Sequence, residues 1–332
     1  MTGTRLDVLA IGDAVVDVIA TAEDSFLEEE GLVKGSMQVL DAAGATRLYA
    51  RMSQARETSG GSAANTIAGI ASLGGRAAYM GKVANDQLGA IYTHDIRAQG
   101  VAFDTEPLQR QPPTARSMIF VTPDGERSMN TYLGACVELG PEDVEADKAA
   151  GAKVTYFEGY LWDPPRAKEA IRLTAEHAHK AGREVSMTLS DSFCVDRYRD
   201  EFLDLMRSGT VNIVFANDHE MKSLYQTSSF EAALEAIRKD CRIAAVTLSE
   251  KGSVIVRGDE TVWIEAMPIT ELVDTTGAGD LYAAGFLYGY TAGLDLKRCG
   301  DLGSLAAGLV IQQIGPRPRQ NLRQEAQAAG LL

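Results

Sequence analysis

Short apolar runs alternate with longer amphipathic stretches from one end of the chain to the other. The runs LDVLAIG (6–12), AAYMGKV (77–83), VTYFEGY (154–160), EVSMTL (184–189), VNIVFAN (211–217) and IAAVTLS (243–249) each read as a strand buried on both faces. Between them, segments such as PRAKEAIRLTAEHAHKAG (165–182) and FEAALEAIRKD (230–240) space their apolar residues as helices do. Fully buried strands alternating with helices predict an α/β fold, a three-layer α/β/α sandwich around a mostly parallel sheet.

Two regions break this rhythm. AVVDVIA (14–20) and RSMIFV (116–121), with RSMNTYL (127–133) beyond it, alternate like antiparallel strands, and Asp124-Gly125 supplies a turn. They predict a small discontinuous β-sheet, approximately residues 13–55 and 105–135, inserted into the body as a lid. A further hairpin, SVIVRGDETVWIE (253–265), turns at Gly258-Asp259. Its Arg-Gly-Asp triplet reads as turn chemistry rather than as an adhesion motif.

Composition narrows the partners. With 332 residues, 45% of them hydrophobic, the chain can bury one large core with a smaller appendage. A formal net charge of -14 disfavours nucleic-acid backbones and anionic membranes, though a local site can still oppose that sign. Cys136, Cys194, Cys241 and Cys299 form no CxxC pair and read as the reduced thiols of a cytoplasmic protein. The N-terminal MTGTRLDVLAIGD reaches charged residues too early for a signal peptide, and no apolar run of roughly 18 residues predicts a membrane span.

Several familiar motifs fail on inspection. GRAAYMGKV (75–83) has one residue too many between its glycines for a P-loop, and Val83 stands where a magnesium-binding hydroxyl is required. The first strand ends at Gly12-Asp13 without GxGxxG, which removes the main support for a dinucleotide-binding dehydrogenase. His177 and His179 point in different directions on one helix and suit a solvated face. Gly285, Gly289 and Gly293 suit close helix packing in a soluble chain.

Chemistry concentrates in three places. In DTTGAGDLYAAGF (274–286), Gly277, Ala278 and Gly279 lead directly into a helical pattern. Their N–H groups are the unsatisfied donors of a first turn, and the missing side chains let a phosphate approach the backbone. Asp280 follows within that turn, as a cap or as a base aimed at whatever the amides hold, and the amides favour its ionised form. In GGSAAN (60–65), the paired glycines admit a ligand against the backbone and Asn65 offers both donor and acceptor to hydroxyl groups; tight helix packing is the plainer reading. Asp13 and Asp17 follow the first strand, where carboxylates can accept paired hydrogen bonds from a vicinal diol or simply face solvent.

GGSAAN and DTTGAGDLYAAGF resemble the two signatures of the PfkB, or ribokinase-like, carbohydrate kinase family. Between them, Asn217-Asp-His-Glu220 resembles that family's NxxE motif, and VTLSEKG (246–252) resembles its nucleotide-binding turn. The resemblance implies a ribokinase-like fold with a β-sheet lid and ATP-dependent phosphorylation of a hydroxymethyl group. It implies ATP and Mg²⁺ as cofactors, with K⁺ a candidate. Asp280 becomes the catalytic base, Gly277, Ala278 and Gly279 the anion hole, and Arg127 of the lid a contact to the phosphates. Asp13, Asp17, Gly61, Ser62 and Asn65 would hold the substrate. Thr247, Ser249 and Gly252 would line the ATP site, with Asn217 and Glu220 governing Mg²⁺ through water. Asp274 and Thr276, with the loop near Gly315, resemble a monovalent-cation site.

Within the family, Ser62 stands where ribokinase-type members commonly carry lysine, which makes the chain resemble the adenosine kinase branch. TLSDSF (188–193) points the same way, and Gln38 matches a glutamine near the adenine. Tyr160 and Trp162 would stack on a base or pack in the core. The implied activity converts adenosine to AMP, with a free-sugar kinase as the alternative and a non-catalytic binding protein as the reading from another class. The implied partner is a small nucleoside or sugar, with no nucleic acid and no membrane, in a monomer or homodimer. VAND (83–86) departs from relatives that carry a glycine before the acid.

Overall fold

The computed structural model describes residues 5–332. The chain opens with strands β1 (Leu6–Ile11), β2 (Val15–Thr21), β3 (Met37–Val39) and β4 (Arg56–Ser59). β5 (Ala77–Met80), β6 (Ala102–Phe103), β7 (Ala115–Val121) and β8 (Arg127–Tyr132) follow. β9 (Ala152–Glu158), β10 (Glu184–Thr188), β11 (Ile213–Asn217) and β12 (Ile243–Thr247) precede the closing hairpin β13 (Ser253–Arg257) and β14 (Glu260–Ile264).

Nine strands form the central sheet in the order β14-β13-β12-β11-β10-β9-β1-β5-β6. Pairing is parallel from β12 through β6 and antiparallel only at the hairpin edge. β1 shows why these strands read as continuously apolar. Val8 and Ala10 join the core under helices Ser62–Ser72 and Ala278–Thr291, while Leu9 and Ile11 join the core on the opposite face. Each face is sealed by its own helix layer, so neither can be polar.

The second sheet has the order β3-β8-β7-β2-β4. Its strands are not all antiparallel, as the alternation suggested: β2 pairs with β7 in parallel, Asp17 opposite Ser117, and β3 pairs with β8 in parallel. β2 and β7 enter the sheet after separate excursions through the α/β body, so no hairpin fixes their sense. β4 was not visible as a strand because RETS is short and polar. Met118 and Phe120 face a small core with Leu27, Ala45 and Leu48, while Ser117 and Ile119 face the cavity below. This period of two gives the sheet one dry face and one face for a ligand.

Two glycine contacts set the helices that carry the candidate chemistry. A Cβ on Gly69 would come within 2.7 Å of the Ala284 methyl, so helices Ser62–Ser72 and Ala278–Thr291 touch closely. A Cβ on Gly285 would come within 2.3 Å of the Leu302 carbonyl, which presses helix Leu296–Val310 against the same element. The GxxxG series thus serves packing inside a globular body. Among the described residues, no helix is long and apolar enough to cross a membrane.

Candidate active site

The parallel strands deliver their carboxyl ends to one cavity of about 800 Å³ beneath the second sheet. Asp13 follows β1, Glu158 ends β9, Thr188 ends β10, Asn217 ends β11 and Thr247 ends β12, and all line it. Ligands in open α/β sheets collect at these ends because the loops there carry free polar groups over a rigid platform.

Gly277 caps helix Ala278–Thr291 with φ 80 and ψ 1, a left-handed conformation natural to glycine. The Ala278 N–H closes a turn onto the Thr275 carbonyl at 3.2 Å, and the Leu281 N–H bonds the Gly277 carbonyl at 2.8 Å. The amides between them, Gly279 and Asp280, belong to a first turn that has no helical carbonyl to serve them. Ala278 is therefore a spacer in this turn, and its N–H is already engaged.

Asp280 lines the cavity in the same turn, each oxygen held by one donor. The Ser62 hydroxyl donates to Oδ1 at 2.6 Å, and Asn65 Nδ2 donates to Oδ2 at 2.9 Å. The two glycine motifs, far apart in sequence, thus meet at one carboxylate. Burial pushes the Asp280 pKa up to about 6, while Ser62, Asn65 and Arg317 pull it back. The helix amides were expected to favour its ionised form; burial opposes them and is the largest effect here, yet a value of about 6 still leaves the group ionised near neutral pH.

Asp17 also lines the cavity, 8% exposed, with its carboxylate pressed so tightly on Gly60 that a Cβ there would sit 2.4 Å away. Burial raises its pKa to about 7 against the pull of Arg317 and Arg127. Gly61, Ser62, Asn65 and Tyr160 line the same space. Tyr160 donates its hydroxyl to the Ser190 carbonyl at 3.3 Å. Trp162 does not reach the cavity: it is fully buried, stacks on Phe157 at 5.9 Å and donates to Glu201. Gln38 occupies the face of β3 opposite Met37 and Val39, and it is these two that line the cavity.

At the other end, Asn217 and Glu220 form a capping box. The Asn217 N–H and Nδ2 donate to the Glu220 carboxylate at 3.0 and 2.6 Å, and the Glu220 N–H returns to Asn217 Oδ1 at 2.9 Å. Burial raises the Glu220 pKa to about 7. Each Glu220 oxygen has further acceptor capacity toward the cavity, a fit for a hydrated Mg²⁺, which keeps several waters and takes few protein ligands. Thr247 lines the cavity; Ser249 and Gly252 shape the turn from β12 to β13 outside its lining. Gly252 has φ 86, and a Cβ would strike the Ile264 carbonyl.

Asp274 makes three contacts, two of them on Oδ2. It accepts the N–H of Thr276 at 3.0 Å and of Gly315 at 2.8 Å, and Arg127 Nη2 lies 2.5 Å from Oδ2. A guanidinium thus sits on one oxygen of the carboxylate expected to serve a monovalent cation, and a cation there would share Asp274 with Arg127. The other nitrogen, Arg127 Nη1, is buried with no hydrogen-bond partner among the described residues.

Two residues escaped the sequence reading. Glu158, 1% exposed, accepts the N–H groups of Asp13 and Ala63, and burial beside Asp13 raises its pKa well above the ordinary carboxylate range. Its position at a strand end was the available signal. Arg317 bonds Asn65 and Ser59 from a Pro-Arg-Pro-Arg stretch that carries no motif of its own.

Residues 5–321 match the model of the pfkB family carbohydrate kinases. The chain belongs to that family. Its ribokinase-like architecture is shared with a solved "probable sugar kinase protein" from Rhizobium etli CFN 42, 66% identical, with a TM-score of 0.94 over 99% of this chain and 100% of that one. It is also shared with a solved adenosine kinase from Sinorhizobium meliloti, 67% identical, with a TM-score of 0.93 over 98% and 99% of the two chains. An adenosine kinase from Saccharomyces cerevisiae is 26% identical over 331 residues, 93% of this chain and 95% of that protein. As a pfkB kinase the chain is a phosphotransferase, of a family that uses ATP and usually Mg²⁺.

Proposed function

We propose that this kinase transfers the γ-phosphoryl group of ATP to the 5′-hydroxyl of adenosine, with Asp280 as the base. The observation that carries this reading is the placement of Asp280 between two donors and beside the open amides of the GAG turn, on the wall of the cavity. The choice of adenosine draws support from the 67% identity to an adenosine kinase.

In this reading the Asp17 carboxylate, on the cavity wall, accepts from the ribose diol. Asp280 receives the proton of the attacking hydroxyl; a pKa of about 6 leaves it ionised near neutral pH yet basic enough to accept. The amides of Gly279 and Asp280 face the charge that develops on the travelling phosphoryl oxygens. Arg127 adds a donor from the lid sheet, whose closure would exclude water. Glu220 and Asn217 would hold Mg²⁺ through water, and the ion would neutralise phosphate charge.

A sugar in place of the nucleoside is the second reading, favoured by the 66% identity to a protein named as a sugar kinase. ADP release measured side by side with adenosine, guanosine, inosine, ribose and fructose separates the two. Turnover of a sugar without turnover of adenosine would overturn the substrate choice.

A further inference from the structure

We infer that Arg317 is a positioning residue for the transfer: its guanidinium fixes the amide of Asn65 so that Nδ2 faces Asp280, and this aims the carboxylate. The inference rests on the kinase reading above and assigns a task to a residue outside both glycine motifs.

The geometry follows from what each group can donate. Arg317 Nε donates to Asn65 Oδ1 at 3.1 Å. Arginine has donors only, so this contact exists only when the amide oxygen turns toward it. The amide nitrogen must then turn the other way, where it meets Asp280 at 2.9 Å. With the amide reversed, Oδ1 would face the carboxylate and repel it. Arg317 therefore selects one of two amide orientations, and only one supports the base.

The guanidinium is itself anchored. Nη1 donates to the Ser59 hydroxyl, Nη2 lies 3.5 Å from the Gly60 carbonyl, and Asp95 stands 3.8 Å behind. Asp95 also accepts the Ser59 N–H at 2.9 Å, which ties helix Gln87–Ala98 to the same point. The two residues before Arg317 brace the other motif. Gly315 donates its N–H to Asp274, and Pro316 lies where a Cβ on Gly277 would come within 2.6 Å of its own. Three consecutive residues thus hold the GGSAAN turn and the GAG turn in register, so that neither can drift without moving Asp280.

Charge acts in the same direction. Asp280 shares its surroundings with Asp17 on β2, with Glu158 and Tyr156 on β9, and with Tyr160 beyond it. The two carboxyl groups disfavour a further negative charge nearby when ionised, and neither neutral tyrosine supplies a cation. Arg317 is the cation that draws the pKa values of both Asp280 and Asp17 back down.

The test compares Arg317→Met and Arg317→Lys in the full chain, with turnover measured from pH 5 to 9, nucleoside KM, and melting temperature. Loss of the cation in Arg317→Met should move the acid limb of kcat up by about one pH unit. Turnover near pH 6 then falls about fivefold from the lost ionisation, with partial recovery at high pH. Arg317→Lys should restore the limb, because the charge returns, but not the high-pH plateau, because one ammonium cannot hold Asn65 and Ser59 together. A purely structural role would lower the melting temperature of both variants and leave the limb in place, and that result overturns the proposal. If Arg317→Met does not fold, the plateau of Arg317→Lys decides: a wild-type plateau refutes positioning. If the wild-type protein turns over neither nucleoside nor sugar, the kinase reading fails instead. A crystal structure of Arg317→Lys then judges positioning alone: Asp280 displaced from Asn65 supports it, and an unchanged contact contradicts it.

Discussion

Arg127 Nη2 lies 2.5 Å from Asp274 Oδ2, joining strand β8 of the small sheet to the loop before the GAG turn. Both side chains are nearly buried, at 11% and 5% exposure. Removing one partner of such a pair strands the other charge, whereas neutralising both removes the penalty. Arg127→Met should therefore cost about 3 kcal/mol in urea unfolding, and Arg127→Met/Asp274→Asn should recover part of it. A double variant as unstable as the two single losses added together would show that the pair is not coupled.

In the proposed mechanism two carboxylates work in their ionised form in the free enzyme, and this sets a pH dependence. Burial raises Asp280 to about 6 and Asp17 to about 7. Activity falls as pH drops through these values, because a protonated Asp280 cannot take a proton and a protonated Asp17 accepts poorly. Log kcat/KM for adenosine should bend downward below about pH 7 and approach a slope of about 2 below pH 6. A flat profile from pH 8 to pH 5 would remove both residues from the reaction.

Asp17 also sets a stability trade-off. Its folded pKa of about 7 exceeds the ordinary 3.8, so between those values the folded state binds more protons than the unfolded chain. Wild-type stability is then greatest at the acid end of that window and declines as pH rises through it. Asp17→Asn carries no such charge. It should match wild type near pH 4 and exceed it above pH 7 by up to about 4 kcal/mol, while losing affinity for the nucleoside. Glu158 and Glu220 titrate alike in both proteins and cancel in the difference. A variant less stable than wild type at pH 8 would contradict the reading of Asp17 as a strained buried anion.

The body of the fold was legible because β1 and its parallel neighbours are sealed on both faces, which leaves an unbroken apolar signature. The GAG turn was legible because adjacent small residues at a helix start have few other uses. The second sheet was harder. β3 spans three residues with both neighbours exposed, so nothing in the pattern says which face Gln38 takes, and it takes the one away from the cavity. Asn217 and Glu220 matched a motif, yet a local capping box also explains that spacing, and sequence cannot weigh the two. Arg317 was invisible for a different reason. Its partner Asn65 lies 252 residues away, and only the meeting of two loops gives the arginine a task.

In the proposed transfer, Asp280 takes the proton of a nucleoside hydroxyl while the amides of Gly279 and Asp280 receive the phosphoryl group. Phosphorus-31 NMR of ATP and adenosine with the wild-type chain and with Asp280→Asn tests both halves at once. The wild type should form a phosphomonoester on the 5′ oxygen, and Asp280→Asn should form it at least about a hundredfold more slowly with adenosine and ATP still bound. Near-wild-type formation by the variant, or inorganic phosphate as the only product of the wild type, would contradict this mechanism.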